Sequence, residues 1–288
     1  MEDFFHILSG NRIFNLRMHR TYSKFSFQSS KLHYSVYGQS EKVLLMFHGF
    51  GHTHKNMREI EEALSLEYKV YSFDLFFHGF SEWNNEDKPL TSEFWNQLIA
   101  AFLEQNQIDK FSVLGFSLGG KLALSLVDHF ANSIEKLYLI APDGLKSNFW
   151  YSVATSKPLK GLFRSVILNP EIFNRLLKLL TKFKLLDKSS ARFASVQMNS
   201  RDKRRRVYYT WTVLKGITPN IDAVTAALNA KSIFTEIFVG EYDRIIPISF
   251  VKSFSDRLVN KKFVILKSGH NNLLDEVAFQ FENAAERR

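Results

Sequence analysis

The sequence predicts an α/β fold: a mostly parallel eight-stranded sheet with helices on both faces and an inserted helical lid. Three observations lead there. Short apolar runs without polar alternation are separated by helix-like stretches, the pattern of strands buried on both faces. Polar clusters follow the ends of those runs, where open α/β sheets gather their chemistry. One interval, residues 144–215, breaks the alternation and is rich in helix formers and positive charge.

In chain order, Phe25–Phe27 and Lys31–Tyr37 read as a hairpin joined near Ser29-Ser30. Single strands follow at Val43–Phe47, Lys69–Phe73, Phe111–Gly115, Glu135–Ile140, Thr235–Val239 and Lys262–Leu266. Helices are expected near 54–63, 91–106, 118–130, 221–229, 249–259 and 272–284. The organisation is then an N-terminal extension (1–22), a first part of the core (23–143), a basic lid (144–215) and a second part of the core (216–288).

The strand at Phe111 runs into Gly115-Phe-Ser117-Leu-Gly119-Gly120 and then into the apolar stretch Lys121–Val127. Strand, Gly-x-Ser-x-Gly and helix in succession make a nucleophile elbow, with Ser117 at the apex of a turn too tight for side chains at 115 and 119. A serine reacts at neutral pH only beside a base that is itself oriented by a third group. His270, after a strand and Gly269, suits the base, and Asp243, in Gly-Glu-Tyr-Asp after another strand, suits the orienting acid. Asp143, in Pro-Asp-Gly after a strand, is a second place for that acid. The backbone N–H groups of Leu118 and of Phe50, in His48-Gly49-Phe50-Gly51, are the expected oxyanion donors. Phe50, Phe116 and Leu118 are the expected substrate contacts. His48, His52 and His54 are spaced as metal ligands can be, but no local carboxylate or Cys joins them, so no metal and no cofactor is expected.

These motifs, with Asp74-Leu-Phe-Phe-His78-Gly79-Phe-Ser81, resemble in identity and order those of the α/β-hydrolase superfamily over residues 25–284. The resemblance implies hydrolysis of an ester-like bond. Thioesterases, C–C bond hydrolases, lyases and non-catalytic relatives share the same signatures. Phe76-Phe77 and Asn271-Asn272 depart from the usual pattern, and a serine at 117 argues against the branches whose nucleophile is a carboxylate.

Composition sets the remaining bounds. Apolar residues make up 45% of the 288, enough for a sizeable core, and the 28 Phe favour an apolar substrate. With no Cys, disulfides and thiol nucleophiles are excluded. No run of about 18 apolar residues is present, and Met1-Glu-Asp-Phe-Phe-His carries acid where a signal peptide needs base, so the expectation is a cytoplasmic protein. The net charge of +9 concentrates in 144–215, which holds sixteen Lys and Arg against Glu171, Asp187 and Asp202. Within it Pro170–Leu186 reads as a helix with Ile172, Phe173, Leu176, Leu177, Leu180 and Phe183 on one face and Arg175, Lys178 and Lys182 on another. A lid helix over the pocket is the plain reading. Contact of this basic segment, including Arg201–Arg206, with an anionic membrane or an acidic substrate is the sharper one. A basic run without a recognition motif does not indicate nucleic acid binding.

Overall fold

Five consecutive apolar residues, Val43–Phe47, form a strand that is buried throughout, and a six-residue strand, Phe111–Phe116, is buried beside it. Because side chains alternate along a strand, Val43, Leu45 and Phe47 enter one core while Leu44 and Met46 enter the other. A sheet with apolar side chains on both faces needs cover on both, and that requirement organises the molecule. The structure, a computed structural model, describes residues 4–9, 12–17, 19–85, 88–145, 160–186 and 188–286.

The strands are β1 (Phe4–Ser9), β2 (Arg12–Arg17), β3 (Thr21–Phe27), β4 (Ser30–Tyr37), β5 (Val43–Phe47), β6 (Lys69–Phe73), β7 (Phe111–Phe116), β8 (Ile134–Ile140), β9 (Phe234–Gly240) and β10 (Lys261–Leu266). Eight of them form one sheet in the order β10-β9-β8-β7-β5-β6-β4-β3. The six from β10 to β6 are parallel, and the β3–β4 hairpin closes the edge antiparallel. β1 and β2, within the expected N-terminal extension, pair separately as an antiparallel hairpin. β3 starts at Thr21, inside the expected extension 1–22.

The helices are α1 (Arg58–Leu64), α2 (Ser92–Gln105), α3 (Leu118–Phe130), α4 (Lys160–Leu168), α5 (Pro170–Lys182), α6 (Lys188–Gln197), α7 (Arg201–Val213), α8 (Ile221–Ala230), α9 (Ile248–Ser255) and α10 (Leu273–Glu286). One face of the sheet packs on α2, α3, α8 and α9 through Trp95, Leu98, Leu122, Val224, Leu228 and Val251. The other packs on α1 and α10 through Ile60, Leu64, Val277 and Phe281. The expected helix at 118–130 coincides with α3. The one expected at 54–63 splits into a 3-10 turn, His54–Met57, and α1.

Residues 146–159 of the predicted lid lie outside the described residues. Its described part is helical, α4 to α7, and Ile167, Met198, Val207 and Tyr208 form a small core of their own there. Val213 and Leu214 already belong to the main core, so the helical segment rejoins the body before the expected boundary at 215. No helix among the described residues is long and apolar enough to cross a membrane.

Candidate active site

β7 delivers Ser117 at the carboxyl edge of the sheet, and the turn there is left-handed, φ +50° and ψ −116°. A β-carbon on Gly115 would lie 2.5 Å from the Gly119 carbonyl oxygen, and one on Gly119 would collide with the Phe47 carbonyl, so only glycine lets strand and helix meet this closely. The Ser117 N–H donates to the Ile140 carbonyl at 2.9 Å, and the Ser117 carbonyl accepts from Gly120 and Asp143, which fixes a backbone shape unusual for a non-glycine residue.

The loops after β9 and β10 bring two further side chains to this apex. His270 Nε2 lies 3.0 Å from Ser117 Oγ, and His270 Nδ1 lies 2.6 Å from Asp243 Oδ2. The other Asp243 oxygen accepts the N–H groups of Ile245 and Ile246 at 2.8 and 2.9 Å, which fixes the carboxylate plane. Asp143 is not in this line: its carboxylate accepts the Gly144 N–H at 2.7 Å. Its charge also supports Lys121, a nearly buried lysine on α3 whose pKa burial pushes down and Asp143 pulls back up. Lys121 donates to the Leu214 carbonyl at 3.2 Å and so ties α3 to the end of α7, a role no motif in the sequence marks.

Two neutral histidines hold the loop after β5 against this line. His48 is fully buried, and desolvation lowers its pKa to about 4. Its Nε2 accepts the Leu75 N–H at 3.0 Å, which leaves Nδ1 to donate to the Gly49 carbonyl at 2.7 Å. His78 is buried too and is pushed well below the usual histidine range by desolvation, then by His48. It accepts the Gly51 N–H at 3.0 Å and donates to the Phe76 carbonyl. The Phe50 N–H between these anchors makes no hydrogen bond among the described residues. Leu118 is the first residue of α3, where an N–H has no acceptor within the helix. The Phe50 ring stands edge-on to His78 at 5.6 Å and packs against both the main core and the small helical core.

One expectation needs correcting. Phe116, an expected substrate contact, is 1% exposed, because alternation along β7 turns it into the core with Leu114. It lies beneath the site, stacked on His52 and 5.1 Å from the His270 ring. The triplet His48, His52 and His54 is not brought together. His54 instead meets His33 and Asp74, whose ligand atoms lie within 4.8 Å of one another. In that cluster His33 Nδ1 and His54 Nδ1 lie 2.8 and 2.9 Å from the two Asp74 oxygens, and the backbone N–H groups of His54 and Phe80 also donate to Asp74. Burial alone would raise the Asp74 carboxyl, but the hydrogen bonds from His54 and Phe80 outweigh it and hold it well below the usual carboxylate range. These are hydrogen-bonding separations, and a metal ion would have to displace both ring protons.

A cavity of about 520 Å³ opens at the opposite, amino end of the strands. Two of its lysines, Lys136 and Lys262, are both paired with Glu236.

The family profile of the alpha/beta hydrolase fold matches residues 42–277. The chain belongs to the α/β-hydrolase family. It is therefore similar, at 25% identity over 259 residues (86% of this chain and 94% of the relative), to a pimeloyl-[acyl-carrier protein] methyl ester esterase of Vibrio parahaemolyticus. Among solved structures, a hydrolase from Pseudomonas aeruginosa aligns with TM-score 0.65 at 19% identity, covering 92% of this chain and 96% of that one. A thioesterase domain from the curacin biosynthetic pathway aligns with TM-score 0.62 at 17% identity, covering 91% and 99%. These two likenesses concern the α/β-hydrolase fold. The chain is an α/β-hydrolase, a fold that hosts many different chemistries.

Proposed function

We propose that this α/β-hydrolase is a serine carboxylic ester hydrolase working through an acyl-enzyme on Ser117. The observation that carries the reading is the unbroken hydrogen-bonded line from Ser117 Oγ through both nitrogens of His270 to Asp243. His270 Nε2 takes the Ser117 proton as Oγ bonds to the ester carbonyl carbon. Negative charge collects on the carbonyl oxygen, within reach of the Phe50 and Leu118 N–H groups. When the C–O bond breaks, the same proton passes from His270 to the departing alcohol. A water then gives its proton to His270 and its oxygen to the acyl carbon, which releases the acid and restores Ser117. Asp243 keeps Nδ1 protonated and steadies the imidazolium between the two transfers.

The carrier-protein methyl ester esterase among the relatives supports small-alcohol esters as the first substrates to try. The helices of residues 144–215 then act as a lid, a role supported by the packing of Phe50 against their small core. On α5, Ile172, Leu176, Leu179 and Phe183 form an exposed apolar stripe with Arg175, Lys178 and Lys182 beside it, which supports contact between the lid and an anionic membrane surface. Sedimentation with phosphatidylserine vesicles, lost in Leu179→Asp, tests that contact.

The test of the main reading is a fluorophosphonate label read by intact mass, beside hydrolysis of p-nitrophenyl and methyl esters. One adduct on Ser117 with ester turnover is expected, and Ser117→Ala loses the adduct and about 10⁶ in kcat. Labelling without ester turnover would replace the reading with a thioester or C–C bond substrate on the same residues.

A further inference from the structure

Beside the reacting groups, two buried polar atoms have no hydrogen-bond partner among the described residues. His52, on the loop after β5, stacks on Phe116 with ring centroids 5.6 Å apart, one ring away from His270. Its Nδ1 is buried without a hydrogen bond. Arg206 stands on α7, and its Nε is also buried without an acceptor. Tyr209, three residues on and so on the same face of α7, stacks on Phe77 at 5.4 Å and lays that face on the loop carrying His78. Burial lowers the pKa of both His52 and His78, and the charge of Arg206 lies close enough to lower both further. Among the described residues no carboxylate pairs with the Arg206 guanidinium, whose own pKa is lowered by burial.

The other arginines of this run are placed differently. Arg201 and Arg205 are exposed, with Arg205 5.9 Å over the Tyr209 ring, and Arg204, whose Nε is likewise buried without a partner among the described residues, donates to the Met198 carbonyl at 3.0 Å. A half-buried guanidinium has given up water and here receives no negative charge in return, an arrangement that a bound anion would relieve.

We propose that Arg206 and His52 form an anion subsite next to Ser117 that takes a carboxylate carried on the substrate, away from the bond that is cleaved. The subsite stands on its own geometry, and it rests on the ester-hydrolase reading only for what the carboxylate is attached to. One planar guanidinium matches one carboxylate, with parallel N–H groups facing two oxygens. His52 adds a second contact, because a carboxylate at its Nδ1 favours protonation of the ring and turns that atom into a charged donor. A neutral ester leaves Arg206 uncompensated, so the site selects on charge.

Two measurements test the subsite. The first compares kcat/KM for the monomethyl and dimethyl esters of adipic acid. The unmutated protein should favour the half ester roughly tenfold or more. Arg206→Gln should bring the ratio near one, and Arg206→Lys should restore only part of it because an ammonium lacks the planar fork. Arg201→Gln should keep the original ratio. No preference in the unmutated protein, or an equal loss in Arg201→Gln and Arg206→Gln, would overturn the subsite in favour of a general basic field. The second uses free adipate and needs no turnover. The His52 ring, followed by NMR in Ser117→Ala, should titrate at higher pH with adipate than without it, and Arg206→Gln should abolish that shift. Absence of the shift in Ser117→Ala overturns the subsite. A shift in a protein that hydrolyses no ester keeps the subsite and rejects the ester-hydrolase reading alone.

Discussion

The strands β5 and β7 and the helix α5 all carry several large apolar residues, yet the structure treats them in opposite ways. Every residue of the two strands is buried, whereas no residue of α5 is, and Ile172, Leu176, Leu179 and Phe183 line its open side. The strands lie between two helical layers that close on both faces, while α5 contacts its neighbours α4 and α6 and leaves Phe173, Leu177 and Leu180 half-buried. Apolar content produces a rigid frame only where a second layer completes it. The side chains that need fixed positions, Ser117, His270, Asp243 and His48, therefore hang on the enclosed region. The helical segment supplies Arg206, which on the subsite proposed above has to meet a ligand.

The largest effect that would break this comparison is at the fixed end. Asp243→Asn should lower kcat on an activated ester by about 10⁴, with the fold retained by circular dichroism, because the imidazole loses its tautomer and orientation. A loss below about tenfold would mean that Asp243 does not hold the base, and would move attention to Asp143. Stability sharpens the contrast next. Trp95, fully buried and donating to the Leu122 carbonyl at 3.3 Å, should cost about 3–5 kcal/mol when cut to Ala. Leu179→Ala should stay within about 0.5 kcal/mol in urea unfolding. Equal costs would show that α5 is covered in solution.

The smallest of the three effects is the response to acid. His48 is held neutral, with a folded pKa of about 4 against an unfolded value near 6.5. Its contribution is fully present above pH 6.5, because below that point the unfolded chain binds a proton the folded chain refuses. It erodes as the pH falls towards 4, by up to about 3 kcal/mol. His78 has the same sign. Asp74, held low, keeps its contribution until the pH drops below the ordinary carboxylate range, whereas Glu59 and Glu61, raised by burial, take up protons within the interval from 6.5 to 4 and partly offset the histidines. Urea midpoints measured across that interval should fall steeply, and His48→Gln should flatten the fall.

Much of the frame was legible in the chain. The central strands and the sheet class follow from local apolar runs, and α3 from the helix pattern after Gly119. The grouping of Ser117, Asp243 and His270 followed from three separate strand ends in a fixed order, although Ser117 and His270 are 153 residues apart. Other features gave no such signal. The β1–β2 hairpin has alternation too weak to read. The buried cluster of His33, His54 and Asp74 joins residues from three separate segments, which no local spacing marks. Phe116 looked like a pocket residue by its nearness to Ser117 and is instead part of the core.

By itself the sequence determined what depends on neighbours along the chain: which segments are strands, where the turn at Ser117 must be glycine-lined, and which residue types stand at the strand ends. The tertiary structure decided what depends on neighbours across space. It set which carboxylate reaches His270, which histidines stay neutral under the loop after β5, which face of α5 remains open, and that Arg206 lies half-buried while Arg201 and Arg205 stay exposed. Local preference acts through backbone sterics and periodicity, both written residue by residue. Desolvation, charge pairing and cover depend on which elements happen to pack together, and that becomes definite only when the layers close.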